Sequence, residues 1–209
     1  MNFGLVFAKI ALGIGIYAGA AGLLWVFRRV DEELKNCGEK SIRKNWFIYS
    51  TLVCIPMLIE VSDMHPAPWF CIGILGVYLA VSSVTDALIF QVYDILQYIG
   101  VIGGGILLGY QNPDAGKGVS LLAFAAIQYL LFMRLYGKAD GMGYCICALY
   151  LSGKGYGLEG YLYHMLIGFF LLTLVQLLRG NITCKGNLQQ PIALFPYITI
   201  GFLILWCCT

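Results

Sequence analysis

The chain has 209 residues, of which 60% are hydrophobic and only 11% charged, with a formal net charge of +2. Its mean hydropathy of +0.80 and its long apolar blocks exclude an ordinary soluble domain and make the lipid bilayer the main solvent for the side chains. The small, scattered net charge excludes nucleic acid as a partner.

Blocks of apolar residues fall at 3–27, 46–62, 68–86, 93–110, 119–136, 141–152, 160–178 and 191–208. Most approach the roughly 20 residues that a helix needs to cross a bilayer. The composition predicts an all-α, polytopic bundle of about eight transmembrane helices. Residues 1–67 form an N-terminal two-helix segment around a basic loop, 28–45, and 68–209 form a six-helix core. The sixth block is short and the second contains Pro56 and ends near Glu60, so seven crossings are also conceivable. Arg28-Arg29 follows the first block, the reverse of a signal peptide's charge order, so that block is read as a retained helix.

Orientation follows from basic residues. With loop 28–45 in the cytoplasm, eight crossings bring Arg28, Arg29, Lys35, Lys40, Arg43, Lys44, Arg134, Lys138, Arg179 and Lys185 to one side, leaving Lys9, Lys117 and Lys154 elsewhere. Seven crossings spoil this count. Small-residue spacings, Ala11/Gly15/Gly19 and Gly100/Gly104 with Gly105/Gly109, predict close helix packing.

Two acids stand out. Asp86 ends the third block, flanked by Val84-Thr85 and Ala87-Leu88-Ile89-Phe90, and Asp140 closes Gly137-Lys138-Ala139-Asp140 after the fifth. Acids near the hydrocarbon are costly and usually functional. The eight-crossing count puts both at the inner surface. The competing reading of Asp86 is a solvated loop acid; that of Asp140 is a helix N-cap, with Gly137 at the C′ position of the preceding helix and Gly141 continuing the turn. Two close carboxyls share one proton: one takes a proton from water, the other hydrogen-bonds a carbonyl and protonates the leaving amine.

Other candidates offer less. Cys37, Cys54, Cys71, Cys145, Cys147, Cys184, Cys207 and Cys208 include no CxxC pair, and most lie in or beside apolar runs as small hydrophobes. His65 and His164 are isolated, no metal-ligand spacing occurs, and Gly116-Lys117-Gly118 lacks the pattern of a phosphate loop.

The segment Asp86-Ala87-Leu88-Ile89-Phe90-Gln91-Val92-Tyr93-Asp94 resembles the first catalytic box of prepilin peptidases, also called type IV leader peptidases: an Asp, five residues, an aliphatic residue, a variable or Pro position, then Asn or Asp. Gly137-Lys138-Ala139-Asp140 is similar to that family's second box, Gly-x-Gly-Asp. The resemblance covers roughly residues 68–208. It implies an intramembrane aspartic endopeptidase with Asp86 and Asp140 as catalytic pair, and Gly137 and Asp94 in support. It also implies a prokaryotic plasma-membrane location and no cofactor. Its partners would be pilin-like precursors with a basic cytoplasmic leader and a hydrophobic helix. The chain departs from the pattern at Ala139, at Leu88-Ile89-Phe90 where basic residues are usual, and at Tyr93. Loop 28–45 holds only Cys37, so neither zinc nor methyltransferase activity is expected there. Asp31, Glu32 and Glu33 are available to attract a basic leader; the competing reading is an ordinary solvated face. The alternatives are a degenerate homologue that assembles pilin-like helices without cutting them, and a small proton-coupled transporter using Glu60, Asp86, Asp140 and His164.

Overall fold

The computed structural model describes residues 3–60, 66–111, 115–135, 137–182 and 192–208. Among them the chain is all helix: α1 (Phe3–Val30), α2 (Glu32–Asn36), α3 (Glu39–Glu60), α4 (Pro66–Ile89), α5 (Asp94–Gln111), α6 (Ala115–Leu135), α7 (Lys138–Gly153), α8 (Leu158–Ile182) and α9 (Phe195–Cys207). Each apolar block corresponds to one long helix, with ends shifted by a few residues. The basic loop adds α2, five residues that apolar patterning does not reveal. Asp31 starts it as N-cap, its Oδ1 accepting the amides of Glu33 at 2.8 Å and Leu34 at 3.3 Å. Leu34 pins it down as its one buried side chain.

Among the described residues three helices, over Gly4–Val30, Pro68–Ile89 and Leu158–Leu178, are long and apolar enough to cross a membrane; Val119–Leu131 and Phe195–Cys207 are shorter apolar stretches. The outside of the bundle is apolar as well. Phe7, Ile14, Phe47, Phe70, Ile102, Leu130, Leu166 and Phe170 are all exposed, the inverse of a water-soluble surface. Helix α9 differs, because nine of its 13 residues are buried. A helix of that length spans about 20 Å, less than a hydrocarbon core of roughly 30 Å. It lies mostly inside the bundle, with Ile204 and Cys207 reaching the surface.

Two helices form the axis. Helix α4 packs against α1, α2, α3, α5 and α9, while α9 packs against α3, α4, α7 and α8. Ser83 and Thr199 hydrogen-bond at 2.8 Å where the two cross, which satisfies both hydroxyls away from water. On the far side, Lys154 Nζ donates to Trp206 O at 3.0 Å and lies over its ring, and Tyr156 Oη donates to Leu205 O at 3.1 Å. These bonds close the last carbonyls of α9.

Glycines set the α5–α7 distance. A Cβ at Gly100 would lie 3.1 Å from Ile146, and one at Gly104 2.9 Å from Leu149 Cβ. The expected packing face is therefore Gly100/Gly104, whereas Gly105 and Gly109 have open space. On α1 the same division holds: Gly19 presses on Val77 of α4 and Gly15 meets nothing. Cys54, Cys71 and Cys147 are buried, Cys207 and Cys208 are exposed, and no disulfide joins the described cysteines. Cys184 and His65 lie outside the described residues.

Candidate active site

Asp86 sits in the last turn of α4 with 7% of its surface exposed. The negative end of its own helix disfavours a charge there. A second helix compensates: the backbone amide of Phe195, the first residue of α9, donates to Asp86 Oδ2 at 2.8 Å, and the Leu194 amide stands beside it. A helix N-terminus offers free N–H groups and a positive dipole end, a natural seat for a carboxylate. Asp86 is therefore no solvated loop acid.

Asp140 is not the N-cap of α7. Gly137 holds that position, with φ 136° and ψ 143°, and Asp140 lies in the first helical turn. Only glycine adopts that backbone without strain, and a Cβ there would lie 3.4 Å from Asp140 Oδ2. Gly141, expected to continue a turn, is inside the helix. Ala139 occupies the second glycine position of the box on a helical residue without positive φ, so glycine is not required there for backbone reasons. Asp140 is partly exposed and accepts no hydrogen bond from a described residue.

Phe195 also touches α7, the helix that carries Asp140. Its ring packs on Gly143, where a Cβ would stand 2.7 Å away. Gly143 is three residues beyond Asp140 and so on the same helix face. The ring also meets Tyr78 of α4 edge-on at 5.6 Å. Asp86 thus binds the Phe195 amide, Asp140 lies one turn from the glycine under the Phe195 ring, and the two carboxyl groups feel each other's charge. Tyr78 and Tyr144 are within electrostatic reach of Asp140, and Tyr49 within reach of Asp86.

Asp94 behaves differently. It opens α5, where an acid suits the helix dipole, but its side chain is exposed and among the described residues makes no bond to Asp86 or Asp140. The loop acids are also engaged. Tyr93 Oη donates to Asp31 Oδ2 at 2.6 Å, Gln91 Nε2 donates to Glu33 Oε2 at 3.0 Å, and Phe27 stacks on Tyr93 at 4.0 Å. The Tyr93 hydroxyl holds the Asp31 carboxyl below its ordinary range, while burial and then Asp31 push the Tyr93 hydroxyl up. The α4–α5 loop is thereby clasped to α2, so Asp31 and Glu33 already have partners. His164 is fully buried, with Nε2 at 2.8 Å from Ile198 O, between α8 and α9.

Phe195 and Tyr93 were not legible as site residues. A backbone amide carries no residue-type signal. Its one trace is Pro196 at the second position of the helix, which marks a start and hence free amides. No family model, curated protein or solved structure matches the chain.

Proposed function

We propose that this protein is a membrane-embedded aspartic endopeptidase that removes the leader of type IV prepilin-like precursors at the cytoplasmic face of a prokaryotic plasma membrane. The observation that carries the reading is that Asp86 on α4 and Asp140 on α7 feel each other's charge, with Phe195 bonded to the first and packed one turn from the second. In this reading the chain crosses the bilayer eight times, with α2 and the basic loop 28–45 inside.

Asp86, bonded by the α9 amide, is the member suited to carry the shared negative charge, and Asp140 the proton. Asp86 takes a proton from water as its oxygen attacks the scissile carbonyl carbon. Asp140 gives its proton to the carbonyl oxygen. The gem-diol then collapses: the C–N bond breaks, the amine leaves with the proton held by Asp86, and Asp140 regains the one from the diol hydroxyl. One water is consumed, and the pair returns to a single shared proton.

A second reading, a helix-binding assembly factor without activity, is favoured by the same Phe195 bond, since capping α9 is a sufficient structural reason for a buried Asp86. Purified wild type, Asp86→Asn and Asp140→Asn, each incubated with a precursor bearing a basic leader, separate the two. Cleavage by wild type and by neither variant supports the peptidase. Cleavage that survives either substitution removes that aspartate from the mechanism, and a silent wild type leaves the assembly factor.

A further inference from the structure

Two buried polar groups beside the acids have no partner. Ser82 Oγ on α4 and Gln97 Nε2 on α5 make no hydrogen bond, although Ser82 is fully buried and Gln97 is only 4% exposed. Leaving such groups unsatisfied is costly, and each calls for an explanation.

Their positions follow from helix register. Tyr78, Ser82 and Asp86 are spaced by four and lie along one face of α4. At the deep end of that face, Tyr78 meets Gly100 of α5 and the ring of Phe195. Gln97 lies three residues before Gly100 on the buried face of α5, and Gly100 also meets Ile146 of α7. Since α4 and α5 run antiparallel, one turn from the Tyr78–Gly100 contact toward the acids brings Ser82 level with Gln97. The register thus sets both at the α4–α5 contact, about 6 Å deeper than Asp86 along the helix axis.

A peptide cut at this depth must first unwind, because a helix hides its carbonyl carbons. Unwinding frees main-chain N–H and C=O groups where little water can satisfy them. Gln97 offers two N–H donors, and the Ser82 hydroxyl donates or accepts. We propose that Ser82 and Gln97 are substrate-binding residues that hydrogen-bond the main chain of the unwound precursor beside the scissile bond. This assignment rests on the peptidase reading.

The test is steady-state cleavage of a basic-leader precursor by wild type, Ser82→Ala, Gln97→Leu and Gln97→Glu, with thermal unfolding of each. Ser82→Ala and Gln97→Leu are expected to lower kcat/KM by roughly tenfold each, the scale of one lost hydrogen bond. Their unfolding temperatures stay level or rise, since an orphaned polar group gives way to an apolar one. Gln97→Glu keeps a donor only while protonated, so its activity falls with rising pH relative to wild type. Unchanged kcat/KM with lowered unfolding temperature means that the pair holds an internal water for structure, and overturns the proposal alone. A wild type that cleaves nothing overturns the peptidase reading, and this proposal with it.

Discussion

The Phe195 amide reaches Asp86 Oδ2 at 2.8 Å across 109 positions of sequence. One bond thereby ties the end of α4 to the start of α9, and the same Phe195 ring rests on α7 one turn from Asp140. Any change at Asp86 therefore acts on fold and site together, and the choice of substitution separates them.

Asp86→Asn retains an oxygen acceptor for the amide, whereas Asp86→Ala leaves a buried N–H unpaired. The alanine variant is expected to lose about 1–3 kcal/mol and the asparagine variant less than about 1 kcal/mol. Both lose cleavage. Unfolding in detergent beside the cleavage assay reads the two effects apart.

Gly137→Ala forces an L side chain to φ 136°. The expected cost is about 1–3 kcal/mol, with a drop in cleavage as the first turn of α7 and Asp140 shift. Ala139→Gly, on ordinary helical backbone, is expected to cost no more than about 1 kcal/mol and to leave cleavage near wild type. A result in which both substitutions behave alike contradicts this geometry.

Gly104→Val drives a branched side chain into Leu149, where even a Cβ stands 2.9 Å from Leu149 Cβ. Overpacking of that kind costs typically 1–3 kcal/mol, so about that loss is expected. Gly105→Ala and Gly109→Ala, in open space, are expected to be neutral or to gain up to about 1 kcal/mol from helix propensity. Thermal unfolding of the three variants checks the assigned face of α5.

The clasp between α2 and the α4–α5 loop depends on pH. Asp31 is depressed below its ordinary 3.8 in the folded chain, so its contribution is complete above that value and is lost as pH falls further. Tyr93 is raised above its ordinary 10.0, so its contribution is complete below 10.0 and is lost as pH climbs past it. The clasp should hold between these limits. Limited proteolysis of the loop, compared with Tyr93→Phe at neutral pH, reads its release.

Apolar runs bounded by polar turns were enough to locate the long helices, because in lipid each spanning segment must satisfy its own backbone. Sequence also singled out Asp86, Asp140 and Gly137, because acids beside hydrocarbon and a glycine before a helix are chemically conspicuous. Asp94, a supporting residue by resemblance, is exposed in the first turn of α5. Asp31 and Glu33, available on sequence grounds to a basic leader or to solvent, also bind the α4–α5 loop.

The sequence by itself determined an apolar helical chain with two acids at helix ends, since burial preference and helix length are local properties of composition. Only the tertiary structure decided that α9 lies mostly inside the bundle, that its first amide holds Asp86, and that Ser82 and Gln97 stand unpaired beside the acids. Those facts depend on which helices touch and in what register. Glycine contacts and a backbone N–H set that register, and neither announces its partner in the sequence.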